Sequence, residues 1–215
     1  MADGKSWTGN WPRVEEHTEW EVLLKRLRVR GVEAEQGLKM IVRDGCGGLG
    51  KALVNVYGTS LLDQRCIFHK LKNVADKART ELKGKDQREA KNKLMEQAAH
   101  IYEAEHPEMA RQRLCDWAQQ WRPHAPEAVA TLERDFEATL VYYQLDTMTR
   151  EWIRTTSLLE RTNRELRRKF RQAVTFGSAL GANVAVFLQV QRLHARWTDA
   201  SWWQVSHDLY FELHP

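Results

Sequence analysis

Apolar side chains recur at helical spacing from Val14 onward, where Trp20, Val22, Leu23, Leu24 and Leu27 fall together and Gly31 stands where a helix end favours positive φ. This pattern predicts a helix over 14–30. The run Leu38-Lys39-Met40-Ile41-Val42 is short, apolar and β-branched. It predicts a buried strand that ends at Arg43-Asp44-Gly45 and carries an aspartate at its C-terminal end. Gly45, Gly47, Gly48 and Gly50 then lead into a helix through Val56, and a turn at Gly58 precedes a second strand over 64–68, ending in Cys66-Ile67-Phe68-His69. Helix, strand, helix, strand is the order of an α/β fold with parallel crossovers. Ahead of these, Gly4, Gly9 and Pro12 surround Trp7 and Trp11, which suits at most an edge strand or a hairpin remnant.

From about Lys70 to Arg150 the pattern changes to long charged helical stretches, broken at Gly84, Pro107 and between Pro123 and Pro126, with no strand signal. Helical periodicity resumes over 157–171, breaks at Thr175-Phe176-Gly177, and closes with an amphipathic helix over 179–197. The expected organisation is therefore an α/β portion over 1–69, an all-α insertion over 70–150, a return to the first portion over 151–197, and a tail over 198–215. No internal repeat or low-complexity tract interrupts it.

Composition narrows the class. Hydrophobic residues make up 42% and charged residues 29% of the 215, a balance typical of chains that fold rather than remain disordered. The net charge of +4 and pI near 9.0 point only weakly to an anionic partner, so the distribution of charge decides more than its sum. Cys46, Cys66 and Cys115 are an odd count at irregular spacing, which predicts no structural disulfide and a reducing, cytoplasmic setting. No apolar run suits a membrane span, and the opening residues lack the basic and apolar regions of a signal peptide.

Two acidic residues could carry chemistry. Asp44 at a strand end and Glu160 on a later helix offer hard oxygen ligands to a divalent ion, the donor type used in two-metal phosphoryl transfer. Each also has a plainer reading: Asp-Gly after a strand is an ordinary turn, and Ser157-Leu158-Leu159-Glu160 fits a capping box in which the glutamate satisfies a backbone N–H. The helix after Glu160 shifts the balance. Arg161, Arg164, Arg167, Arg168, Lys169 and Arg171 crowd one stretch, Leu159, Leu166 and Phe170 form an apolar stripe, and within that helix Glu165 is the sole acid after Glu160. Glu160, Asn163, Arg164 and Arg167 stand three and four apart, so a carboxylate shares a face with groups suited to backbone phosphates. The alternative is a merely solvated cationic surface. Cys66 and His69 have half of a zinc spacing, but His100, His106 and Cys115 supply no matching pair, leaving a buried thiol and a helix-start histidine as the bland reading. Trp117 and Trp121, four apart, suit core packing; an exposed one, or Trp152, could instead stack on an unpaired base.

Three stretches taken in order resemble the bacterial Mutator-type DDE transposases: Ile41-Val42-Arg43-Asp44-Gly45 with Gly48-Leu49; Gln64-Arg65-Cys66-Ile67-Phe68-His69-Lys70 with Asn73-Val74; and Arg154-Thr155-Thr156-Ser157-Leu158-Leu159-Glu160-Arg161 with Asn163-Arg164-Glu165. The resemblance implies an RNase H-like domain with a mixed sheet and flanking helices, using Asp, Asp and Glu with Mg2+ or Mn2+ to cut transposon ends and join them to target DNA. Asp44 matches the second aspartate, Glu160 the glutamate, and Cys66 with His69 the family's C-x2-H signature. It further implies transposon-end and target DNA as partners, a homo-oligomer when full-length, and a bacterial, nucleoid-associated location. The chain departs from the family at Ser157-Leu158, where Asn-Pro is usual. The first aspartate belongs on a central first strand, and the thirteen residues before Val14 are too few for three strands. The expectation is thus a truncated, mostly helical chain lacking the first aspartate. Its alternatives are an inactive remnant that binds DNA or an intact transposase, and a plain helical interaction protein.

Overall fold

A computed structural model describes residues 17–84, 87–146, 157–171 and 178–198. These fall into two compact units, one lying within Pro12–Thr156 and the other beginning at Ser157. The described residues are mostly helical, with one two-stranded parallel sheet. The segment over 1–13, Trp152 and the break at Thr175-Phe176-Gly177 lie outside the described residues.

The first unit opens with α1 (His17–Val29), whose apolar positions produce the expected helix. Gly31 has φ +91° and its N–H bonds the Arg28 carbonyl at 2.9 Å, closing the helix as the sequence indicates. Strand β1 (Met40–Arg43), helix α2 (Gly47–Tyr57) and strand β2 (Leu62–Arg65) then form one parallel crossover. Their register runs from Met40 opposite Leu62 to Arg43 opposite Arg65. Two expectations change here. The residues of β1 are all half-buried rather than buried. The second strand stops at Arg65 instead of continuing to Phe68, because Cys66 takes the N-cap position and Ile67 begins α3 (Ile67–Glu81). Over three apolar residues a strand and a helix start read alike; the buried set Ile67, Lys70, Val74 and Ala78 shows the helical period that governs.

The sheet separates two cores, since alternate strand residues face opposite ways. On one side Ile41 packs with Leu24, Ala52, Leu53 and Val56 of α1 and α2. On the other, Met40 joins a larger cluster built by α3, α4 (Arg88–Ile101), α5 (Pro107–Trp121) and α6 (Pro126–Glu133), including Val74, Leu94, Ile101, Trp117 and Leu132. Pro107 and Pro126 do more than break helices: each sits in a first turn, where its missing N–H costs nothing. Trp117 and Trp121 are buried and donate their indole N–H groups to the Leu94 carbonyl at 3.1 Å and Gln97 Oε1 at 2.6 Å. Both are core residues, with no face offered to a base.

The all-helical stretch returns to the strand it left. Gln64 is fully buried in β2. Its Nε2 donates to the Arg65 and Thr139 carbonyls at 2.7 and 2.9 Å, and its Oε1 accepts the Tyr142 N–H at 2.9 Å. One amide thus ties β2 to the 3-10 turns Glu137–Thr139 and Val141–Gln144.

Lys70 is a second buried polar group, 2% exposed, with its ammonium donating to the Arg134 carbonyl. Burial first, then the nearby Arg65 charge, pushes it down to about 8 from an ordinary 10.5. Its folded value is therefore depressed, so the unfolded chain holds a proton that the folded chain has lost between those two pH values. Stability rises with pH across that window, by at most about 1.4 kcal/mol per pH unit. Burial also raises the Tyr102 phenol above its ordinary 10.0, which penalises the folded state once unfolded tyrosine ionises. Urea denaturation from pH 7 to 11 is expected to show stability climbing from about pH 8 and turning over above about pH 10; Lys70→Met should remove the climb.

The second unit contains α7 (Ser157–Phe170) and α8 (Ala179–Thr198), which touch each other. Ser178 Oγ accepts the Gly181 N–H at 3.0 Å at the entry to α8.

Candidate active site at the strand ends

In parallel crossovers the C-terminal strand ends are where helix N-termini gather and where ligands bind. Asp44 follows β1 at this edge and is exposed. Its Oδ1 accepts the Cys46 N–H at 3.1 Å, so the turn reading of Asp-Gly is realised. Only one carboxylate oxygen is used in this way. The other has no hydrogen bond among the described residues and remains available to a ligand. The N-terminus of α2 adjoins it, where the helix dipole favours negative charge.

Two arginines hold this turn. Arg43 reaches across the strands to Asp63, with Nε 2.7 and 3.0 Å from its two oxygens and Nη2 at 2.8 Å, and donates Nη1 to the Cys46 carbonyl at 3.1 Å. The pair is partly buried and forked, the geometry in which an arginine–carboxylate bond holds position best. Arg65 lies over Gly45 from the other strand. A Cβ at Gly45 would stand 1.7 Å from Arg65 Nη1, a contact the flexible arginine end could relieve, whereas φ +97° makes the backbone itself favour glycine. The aspartate is thereby presented on a turn that the Arg43 clamp fixes and Arg65 overlies.

Cys66 caps α3, fully buried, and its N–H bonds the Arg43 carbonyl at 2.7 Å, extending the sheet register to the residues beside Asp44. His69 lies in the first turn of α3, half-buried, with its ring edge-on to Phe68 at 5.6 Å. Both make further contacts. The signature pair therefore flanks the strand end that carries Asp44. Among the described residues no three His, Cys, Asp or Glu side chains form a metal-holding group. The other residues weighed for zinc have separate roles: His106 Nδ1 caps α5 by accepting the Met109 N–H at 3.2 Å, His100 pairs with Glu103, and Cys115 is exposed.

In the second unit, Glu160 is half-buried in the first turn of α7. Asn163, Arg164, Arg167, Arg168 and Arg171 are exposed, while Leu166 and Phe170 are half-buried on the apolar stripe. Glu165 pairs with Arg168 at 2.7 Å. Arg164, Arg167 and Arg171 have no ion pair among the described residues, leaving a cationic surface beside a carboxylate on one helix. The side chains of Ser157, Leu159, Arg161 and Lys169 lie outside the described residues. Asp44 and Glu160 belong to different units.

Sequence reasoning overlooked Arg43, Arg65, Gln64 and Lys70. A polar residue in a predicted strand was the one available signal, for Gln64; Arg65 had none, since its approach to Gly45 follows from the pairing of β1 with β2.

Comparison with known proteins adds to this geometry. A family model described as transposase, Mutator family, matches residues 9–200. The transposase for insertion sequence element IS905 of Lactococcus lactis is 30% identical over 162 residues, covering 75% of this chain and 38% of the relative. That for IST2 of Acidithiobacillus ferrooxidans is 30% identical over 186 residues, 85% of this chain and 58% of the relative. That for ISRM5 of Rhizobium meliloti is 25% identical over 192 residues, 89% and 44%. The chain spans about half the length of these relatives.

Proposed function

Because this chain belongs to the Mutator family of transposases, we propose that it serves DNA transposition through DDE-type phosphoryl transfer, with Asp44 and Glu160 as two of the carboxylates. The observation that carries this reading is Asp44: a strand-end carboxylate, exposed, held by one oxygen and open at the other. The parallel crossover and the helical stretch leaving β2 are consistent with an RNase H-like catalytic domain interrupted by an insertion.

The donor set suits a hard divalent ion, since carboxylate oxygens are what Mg2+ and Mn2+ select. Asp44 and Glu160 are the carboxylates that would serve as its ligands, and the ion would supply Lewis acidity at a scissile phosphate. The chain's own groups do the rest. Cys46 N–H and the Arg43 clamp orient Asp44, and the α7 arginines neutralise DNA phosphates next to Glu160. The partners in this reading are transposon-end and target DNA, handled in the cytoplasm at the nucleoid by a homo-oligomer of the full-length protein. Among the described residues no helix is long and apolar enough to cross a membrane, and no two of the three cysteines are joined in a disulfide.

Strand transfer on terminal-repeat DNA with Mg2+ or Mn2+ tests the catalytic half of this proposal. DNA binding with no cleavage at any enzyme concentration would reduce the chain to a binding protein. The binding half is tested by salt titration. Replacing Arg164 and Arg167 together by alanine is expected to weaken binding to all sequences alike and to lower the slope of log affinity against log salt by about 2, roughly 0.9 per lost phosphate contact. An unchanged slope would remove α7 from the DNA interface.

A further inference from the structure

Arg65 is a cation near the strand ends with no ion pair among the described residues. Arg43 is committed to Asp63, and the Lys70 ammonium to the Arg134 carbonyl. Arg65 is half-buried, its Nε is buried with no hydrogen-bond partner, and its guanidinium makes no ion pair among the described residues. The guanidinium lies over the Gly45 backbone, one residue from Asp44, where a side chain larger than hydrogen would displace it.

A guanidinium presents five N–H donors in a planar fork and cannot shed its proton, so partial burial without an anion is costly. Surface arginines avoid that cost by staying in water; Arg65 has surrendered part of its hydration with no protein anion to compensate. Its position also fits the general anion preference of this edge, where α2 and α3 both begin and neither capping cysteine side chain hydrogen-bonds the first-turn N–H groups.

We propose that Arg65 is a phosphate-binding residue of the candidate active site, its fork taking a backbone phosphate of the DNA beside the group that Asp44 addresses. This rests on the DNA-transposing reading of the site and adds a substrate contact to it. Phosphate oxygens accept two parallel N–H bonds from arginine, which fixes the DNA strand in angle as well as position, a service a lysine point charge does not provide.

The test uses the whole chain and a short duplex, with inorganic phosphate at equal phosphate concentration as a second arm. Phenylglyoxal modification of Arg65, followed by mass spectrometry in the unmodified sequence, is expected to be suppressed by the duplex and not by inorganic phosphate. Arg65→Ala is expected to lower the salt slope of duplex binding by about one contact, and Arg65→Lys to restore the slope while leaving affinity several-fold weaker. Duplex binding by the native chain with Arg65 still fully reactive, or with Arg65→Ala indistinguishable, overturns the proposal while leaving the DNA reading intact. Equal protection by inorganic phosphate assigns the site to a small anion and also overturns it. A native chain that does not bind duplex at all removes the DNA reading itself. Because the modification arm needs no variant, misfolding of Arg65→Ala leaves the answer decisive.

Discussion

Asp44→Asn is expected to abolish metal-dependent cleavage and strand transfer, by on the order of 10²–10³-fold or more, the scale at which a single charge-stabilising group at a reacting centre acts. The substitution is chosen for what it preserves. Asparagine keeps a carbonyl oxygen to accept the Cys46 N–H, so the turn between β1 and α2, and the Arg43 contact to the Cys46 carbonyl, should survive. It replaces the outward oxygen, or its partner, with an amide that carries no charge and is a poor ligand for a hard cation. Thermal unfolding and the salt dependence of duplex binding should therefore match the native chain while cleavage disappears. Glu160→Gln should behave alike. Retention of native cleavage by Asp44→Asn would return Asp44 to the rank of a turn residue.

Gln64→Met is expected to destabilise the first unit by about 3–5 kcal/mol. Methionine roughly preserves volume, so little of this loss comes from a cavity. It leaves the Tyr142 N–H and the Thr139 carbonyl without the partner they have inside a buried region, each at a cost of about 1–3 kcal/mol. Urea unfolding followed by tryptophan fluorescence reads the change directly, since Trp117 and Trp121 sit in the same core cluster as Tyr142. A loss below about 1 kcal/mol would mean that water or a rearranged turn replaces the amide, and that the return to β2 is not held by this side chain.

What the sequence disclosed and withheld follows a physical division. The helix ended by Gly31, the strand ending at Asp44 and the helix behind the glycine run were legible because their signals are local: periodicity, capping and backbone freedom. The boundary between β2 and α3 was misplaced because Cys66, Ile67 and Phe68 are apolar under either period, and only the burial of Lys70 and Val74 distinguishes the two. Candidate chemistry was legible in the same uneven way. Asp44 could be named from the strand it ends, yet the two guanidiniums beside it could not, since each is brought there by register between β1 and β2. Register is a property of pairs of segments, and no single window contains it. Gln64 was hidden for the same reason: its partners lie 75 and 78 residues away.

The two bonds from Gln64 mean that everything between Ile67 and Tyr142 departs from, and comes back to, a single point on the protein's only described sheet. To that sheet the excursion is a closed loop, however many helices it contains. The entropy of closing such a loop grows slowly, about 0.6 kcal/mol for each doubling of its length. Its size is therefore almost free to vary, and the constraint it imposes is concentrated at the place where its ends meet.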